Sequence, residues 1–171
     1  MIYESLARSD VTHILLAHPT QPETPTLTWE QFCDDYKSHY FDNASPYAGR
    51  CFVIDVDGEA VGQVNYNTID MVKGRTELDI WMRSEATCGK GYGPDALRTL
   101  CDYLFREFGV HEFLIQPSAS NLRAIRAYEK AEFRRVTLSQ EDAEAEYGPK
   151  NSADSVYMTK NIEAQGGDRL G

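Results

Sequence analysis

Cys88-Gly89-Lys90-Gly91-Tyr92-Gly93-Pro94 is the stretch on which the reading of this chain turns. Three glycines stand at alternate positions between an apolar, strand-like run and a strongly amphipathic helix pattern. Glycine lets other groups approach its backbone closely and leaves φ free. The N–H groups that open a helix have no partner inside it, and with the helix dipole they favour anions. A row of backbone donors running into a helix is therefore a cradle for a pyrophosphate, although a turn that only reverses the chain has the same composition. Two familiar phosphate motifs fail on spacing. The dinucleotide fingerprint needs Gly-x-Gly-x-x-Gly, and here the third glycine comes one residue early. The Walker loop needs Ser or Thr after Gly-Lys, and here Gly91 follows Gly89-Lys90.

Working outward, Thr76 to Met82 alternates as a strand, with Leu78, Ile80 and Met82 on one face and Glu77, Asp79 and Trp81 on the other. Downstream, Pro94 takes a favoured first helical position. Leu97, Leu100, Cys101, Leu104, Phe105 and Phe108 then repeat at helical spacing, which predicts a helix packed on a sheet. Phe113-Leu114-Ile115 is a continuous apolar run, as expected of a parallel strand covered on both faces. Strand, helix and strand make a right-handed crossover. A second helix is predicted from about Asn121 to Ala131, capped by Ser118 or Ser120. Phe133 to Leu138 and Asp154 to Asn161 read as two final antiparallel strands, bridged by the acidic stretch Gln140 to Glu146.

Upstream, Ile2 to Leu6 reads as a short first strand, and Ser9-Asp10 offer caps for a helix carrying Val11, Ile14, Leu15 and His18. Pro19, Pro22 and Pro25 break the chain into a loop. Thr28-Trp29-Glu30-Gln31 resembles a helix start, and that helix carries Trp29, Phe32, Cys33 and Tyr36 and ends before Asp42-Asn43. Cys51 to Val56 and Val61 to Asn67 form a hairpin about Asp57-Gly58. Asp55-x-Asp57-Gly58 begins like a calcium loop, but no bidentate Glu follows at the required distance. Lys73-Gly74 turns the chain into the Thr76 strand. The fold class is α+β: a mixed, mostly antiparallel central sheet with one parallel strand-helix-strand crossover and helices on both faces. One domain is expected over 1–163, with 164–171 a flexible tail.

Composition narrows the function. A chain of 171 residues can bury a real core. No apolar run approaches the roughly 20 residues that cross a bilayer, and the N-terminus lacks a signal-peptide layout. A cytoplasmic protein without membrane contact is expected. Cys33, Cys51, Cys88 and Cys101 show no C-x-x-C pairing, which reads as reduced thiols rather than a disulfide framework or zinc site. With His13, His18, His39 and His111 dispersed as well, no metal is expected. A net charge of −10 disfavours nucleic acid as a partner. It suits a cationic ligand, and it also serves simple solubility.

Two motifs now read together. The first is Glu77-Leu78-Asp79-Ile80-Trp81-Met82 followed by the glycine loop; the second is Asn121-Leu122-Arg123-Ala124-Ile125-Arg126-Ala127-Tyr128-Glu129-Lys130-Ala131-Glu132-Phe133. In this order and spacing the pair resembles the GCN5-related N-acetyltransferase superfamily, over roughly Val53 to Ile162. Within it, Pro117-Ser118-Ala119-Ser120-Asn121 through Lys130 is similar to the aminoglycoside 6'-N-acetyltransferases, as is the Pro25-Thr26-Leu27 start of the second helix region. That resemblance implies an acyl-CoA N-acyltransferase fold, acetyl-CoA as co-substrate, and a catalytic Asp at position 79, ten residues before Gly89. The chain differs from the pattern at Cys88, where Arg or Gln is frequent, and at Glu132, where glycine is usual. Its segment between Asn67 and Thr76 is shorter than the substrate loop of that branch.

The residues support the same chemistry. Asn121, Ala124, Ile125 and Tyr128 share a helical stripe. The resemblance sets one edge of it against the pantetheine arm: Asn121 matches its amides, Ala124 leaves room, and Tyr128 presents a hydroxyl near sulfur. An ordinary core stripe has the same spacing. Acetyl transfer to an amine needs a neutral amine, a donor for the oxyanion and a proton for the thiolate. Asp79, a backbone N–H of Ile80, Trp81 or Met82, and Tyr128 are assigned to these. Asp79 acts as a base through water or only orients the amine. Transfer is direct; Cys88 and Cys101 are the alternative nucleophiles, with no His nearby in sequence to activate them. The donors of Gly89, Lys90, Gly91, Tyr92 and Gly93, followed by Pro94, take the pyrophosphate. Gln116 joins the cofactor set, and Arg83, Arg123 and Lys130 are further candidates for nucleotide phosphates. Tyr66, Asp70, Asp79 and Trp81 are expected to line the acceptor cleft, and the 141–146 acidic loop to steer cations. The expected substrate is a small cationic primary amine, with the aminoglycoside 6'-amine first and a polyamine or protein amine second. A monomer or homodimer is expected. A non-catalytic acyl-CoA sensor is the third reading, and it has no use for Asp79 or Tyr128.

Overall fold

The computed structural model describes residues 28–35, 37–150 and 153–163. The predicted first strand, the helix after Ser9-Asp10, the proline-broken loop and the tail at 164–171 lie outside the described residues. Helix α1 (Trp29–Asp35) starts where Thr28-Trp29-Glu30-Gln31 predicts. Thr28 Oγ1 accepts from the Gln31 N–H at 3.2 Å, and Gln31 Oε1 accepts from the Thr28 N–H at 2.9 Å, a reciprocal cap. The single helix expected to end before Asp42-Asn43 is instead divided. A short α2 (His39–Asp42) follows and stops at Asn43, whose φ is 58°. Its Tyr40 hydroxyl donates to Asn67 Oδ1 at 2.9 Å, so a contact to the sheet aims this turn.

Strands β1 (Arg50–Val56) and β2 (Glu59–Tyr66) pair antiparallel about Asp57-Gly58. Both turn residues have positive φ, 55° and 84°, as a two-residue hairpin turn requires. Strand β3 (Arg75–Met82) pairs antiparallel with β2. Helix α3 (Tyr92–Phe108) then crosses to β4 (Glu112–Ile115), which runs parallel to β3. Helix α4 (Leu122–Lys130), β5 (Arg134–Arg135), α5 (Gln140–Tyr147) and β6 (Met158–Asn161) complete the described chain. Among the described residues the sheet has six strands in the order β1-β2-β3-β4-β6-β5, with β6 antiparallel to both its neighbours.

Local chemistry explains where the elements differ from expectation. Helix α3 begins at Tyr92 with Gly91 as its N-cap, so Pro94 sits within the first turn rather than at its start. N–H groups there have no intrahelical acceptor, so the missing donor costs nothing. Asn121, not Ser118 or Ser120, caps α4: its Oδ1 accepts from the Ala124 N–H at 3.0 Å. The acidic stretch expected as a loop is the helix α5. Ser139 Oγ accepts from the Asp142 N–H at 3.1 Å, and Arg75 Nη1 donates to the Glu146 carbonyl at 2.9 Å at the other end. The strand expected from Phe133 to Leu138 is reduced to the two exposed residues of β5. Glu132 has a φ of 74°, which accounts for the glycine usual there. Its carboxylate accepts from the buried Lys160 ammonium at 2.9 Å.

The core lies between α3 and one sheet face. Leu78, Leu97, Leu104, Phe113, Phe133 and Met158 are fully buried in it, and each contributes roughly 1.5–3 kcal/mol. Two features then shape the site. Strands β3 and β4 pair from Arg75↔Glu112 to Glu77↔Leu114, after which β3 continues without β4 beside it. Beneath that opening Gly62 lies opposite Met82. A Cβ on Gly62 would stand 2.5 Å from the Trp81 carbonyl oxygen and 3.3 Å from Met82 Cα. Gly62→Ala should therefore push β2 from β3 and cost roughly 1–3 kcal/mol of stability. Urea unfolding checks this, and an unchanged midpoint would contradict the close packing.

Candidate active site

A cleft of about 250 Å³ opens where β3 outruns β4. Ile80 and Met82 form its floor, the loop from Thr87 to Gly93 and the start of α3 one wall, and α4 the other. Strand geometry aims β3 at this opening. The Glu77 carbonyl accepts from the Asn67 N–H and the Arg83 N–H donates to the Val61 carbonyl, both at 2.9 Å, so odd-numbered residues bond to β2. By alternation the N–H groups of Ile80 and Met82 face the gap.

The glycine loop meets the same cleft with unspent donors. Gly89 and Gly91 have φ of 74° and 92°, conformations that a side chain resists. A Cβ at either would meet nothing within 4 Å, so it is the backbone, not crowding, that requires glycine. Asp95 is the first residue of α3 whose N–H finds a backbone acceptor, the Gly91 carbonyl at 3.1 Å. The N–H groups of Gly89 to Gly93 donate to no described residue. Arg123, Arg126 and Lys130 line the cleft and no carboxylate does, although the chain carries a net charge of −10. Donors at a helix N-terminus, three cations and an apolar floor fit a diphosphate carrying a thin arm. Among the described residues no group of three or more His, Cys, Asp or Glu gathers to hold a metal ion. No described helix is long and apolar enough to cross a membrane.

Asp79 lies on the sheet face opposite Ile80 and is half-buried. The side-chain amides of Asn65 and Asn67 both donate to its Oδ2, each at 3.3 Å. Burial pushes the Asp79 carboxyl above the usual carboxylate range, while these two hydrogen bonds pull it back. Tyr128, from α4, lines the cleft. Burial, and then the nearby Asp79 charge, push its hydroxyl above the ordinary tyrosine range, so it stays protonated at neutral pH. The fold thus brings Asp79 and Tyr128 within electrostatic reach of one another.

Of the residues expected at a cofactor, Ile80, Met82, Gly89, Gly91, Tyr92, Gly93, Pro94, Asn121, Ala124 and Tyr128 line the cleft. Trp81, Lys90 and Gln116 do not. Trp81 shares the Asp79 face, Lys90 is exposed, and Gln116 follows β4. Two acceptor-side expectations need correcting. Tyr66 is fully buried on the α3 face, and its hydroxyl donates to the Pro46 carbonyl at 2.6 Å, so it is core. Asp70 sits at the far end of β3, bridged to Arg75, roughly 3.3 Å per residue away from Met82. Its Oδ1 accepts from the Val72 and Lys73 N–H groups at 3.0 Å, so it serves its own turn. Arg123 is engaged in a two-pronged ion pair with Glu85, and Arg83 donates to the Ala60 carbonyl at 3.2 Å. Cys101 is fully buried with its thiol pushed up to about 12, which removes it as a nucleophile. The sequence reading missed Leu97, Arg126 and Ala127 in the cleft and the amides of Asn65 and Asn67 at Asp79. Two asparagines at alternate positions beside apolar neighbours were the available signal.

Comparison with known proteins gives a consistent picture. The family profile described as Acetyltransferase (GNAT) domain matches residues 1–134. The aminoglycoside N(6')-acetyltransferase type 1 of Klebsiella pneumoniae is 31% identical over 160 residues, covering 86% of this chain and 75% of that protein. The spermidine N(1)-acetyltransferase of Escherichia coli strain K12 is 30% identical over 111 residues, covering 65% of this chain and 57% of that protein. The crystal structure of aminoglycoside acetyltransferase AAC(6')-Ib in complex with coenzyme A and kanamycin matches with a TM-score of 0.65 at 25% identity. That match covers 94% of this chain and 87% of the other.

Proposed function

This chain belongs to the GNAT family of acetyltransferases, and we propose that it acetylates a primary amine of a small cationic substrate, first among them the 6'-amine of an aminoglycoside. It is an N-acetyltransferase and its co-substrate is acetyl-CoA. The observation that carries the site assignment is that a row of unspent N–H groups shares one cleft with Tyr128, which lies within electrostatic reach of Asp79.

When bound, acetyl-CoA supplies an acetyl group activated as a thioester. Gly89 to Gly93 hold the diphosphate through backbone N–H groups, with Arg126 and Lys130 adding charge at the rim. Asn121 spends its Oδ1 on the α4 cap and keeps its Nδ2 donors for an amide of the arm. Ala124 leaves the space that arm needs. The N–H groups of Ile80 and Met82 are placed for a carbonyl oxygen that gains negative charge. Asp79 receives the incoming ammonium, orients it and takes or relays its proton. Tyr128 holds a proton at its hydroxyl for the departing sulfur. In cell terms we place the activity in the cytoplasm, in one domain over 1–163.

The spermidine acetyltransferase likeness favours polyamines as the second substrate class. Thiol release from acetyl-CoA across a panel of amines decides between the two. Turnover with kanamycin-type amines well above that with spermidine is expected. The reverse order moves the substrate to polyamines, and no turnover with any amine removes the reading.

A further inference from the structure

We infer that Tyr40, Asn67 and Asn65 form a positioning relay that favours the charged form of the Asp79 carboxylate and engages one of its oxygens, so that its other oxygen is presented to the amine. This deepens the proposed function and rests on its assignment of Asp79.

The geometry is specific. Asn67 is pinned at every other polar group: its N–H donates to the Glu77 carbonyl and its carbonyl accepts from Thr76 Oγ1, both at 2.9 Å. Its side-chain oxygen accepts from the Tyr40 hydroxyl at 2.9 Å. The Asn67 amide can then offer Asp79 only its NH₂ face, never its oxygen. Asn65, opposite Asp79 in the β2–β3 register and buried, donates to the same Oδ2. Its own Oδ1 is buried with no partner among the described residues. A side chain kept in that condition is held for its donor. Tyr40 is seated by Gly49, where a Cβ would stand 2.9 Å from the ring. The shift in Tyr40 agrees with a steady donor: burial first, then Asp79, Cys51 and Glu77, raise its pKa. Among the described residues the titratable groups that feel the Asp79 charge are Tyr40 from α2 and Tyr128 from α4, while Cys51 from β1 and Glu77 from β3 act on Tyr40. Burial raises the Cys51 thiol to about 12, so it is neutral there.

Removing a donor to the charged form raises a carboxyl pKa. In Asn67→Leu the acid limb of kcat/KM, and the NMR titration of the Asp79 carboxyl carbon in the amine-free protein, should both move up by about one pH unit. Tyr40→Phe should move both the same way by roughly half as much. The double variant should move no further than Asn67→Leu, because Tyr40 acts through Asn67. An unmoved Asp79 titration in both folded single variants overturns the relay, as does full additivity in the double variant. The titration separates this inference from the one beneath it. Shifts with full turnover retained in Asp79→Asn support the relay and end the catalytic role of Asp79. Turnover lost in Asp79→Asn with unmoved titrations ends the relay alone.

Discussion

Asp79→Asn is expected to lower kcat/KM by roughly 10²–10⁴-fold and to leave coenzyme A binding and the fold intact. The replacement has the same shape, and its oxygen can still accept from the amides of Asn65 and Asn67. What it loses is the charge that receives an ammonium and the site that takes a proton. Asp79 does not line the cleft beneath the glycine loop, so cofactor affinity has no reason to change. Stability should hold or rise. Burial raises the Asp79 carboxyl in the folded protein. Its ionisation therefore opposes folding at neutral pH, and that cost fades as pH falls through the folded value towards the unfolded one near ~3.9. Asparagine removes the cost at every pH, the trade of stability against activity usual at working sites. The wild-type rate should fall as pH drops through a value above the ordinary carboxylate range, and the variant should lack that limb. Thiol-release rates against pH, calorimetry with coenzyme A and a thermal scan test the three parts. Undiminished turnover in a folded Asp79→Asn protein would remove Asp79 from the chemistry.

The parts of this site legible in the sequence are those set by neighbours along the chain. Gly89 and Gly91 mark a left-handed loop, Leu97 to Leu104 mark a helix face, and both signals are complete within a few residues. The partners of Asp79 are not local. Asn65 reaches it only through the β2–β3 register, and Asn67 is fixed by a tyrosine 27 residues upstream. Tyr66 was misplaced for the same reason. Alternation puts it with Leu78 in the core while its neighbours Asn65 and Asn67 face the other way. Helix α5 escaped because it has almost no apolar face; Ala143 is its buried residue. It is held by the Ser139 cap and by Arg75 from another strand, and neither leaves a periodic trace. The division of α1 from α2 likewise follows from where Tyr40 must reach, not from a breaker between them.

Filling the cleft should be as damaging to binding as Asp79→Asn is to turnover. Ala124 lines the space between the glycine loop and Tyr128 and is half-buried. Ala124→Trp sets an indole into a cleft of about 250 Å³. Coenzyme A affinity should fall by about 100-fold or more, a loss of about 2.7 kcal/mol. The fold has no reason to follow. The Ala124 N–H still meets Asn121 Oδ1 at 3.0 Å, and the lower helix propensity of tryptophan costs under ~0.7 kcal/mol. Tyr128→Phe provides the contrast from the next turn of the same helix. It leaves the space unchanged and removes only the hydroxyl, so affinity should persist while turnover falls by roughly 10²-fold. Calorimetry with coenzyme A and single-turnover thiol release separate the two variants. If Ala124→Trp binds coenzyme A like the parent protein, the diphosphate is held somewhere other than between Gly89 and α4. The donors of Gly89 to Gly93 would then be left to water, and this helix start would lose its assignment as the anion site.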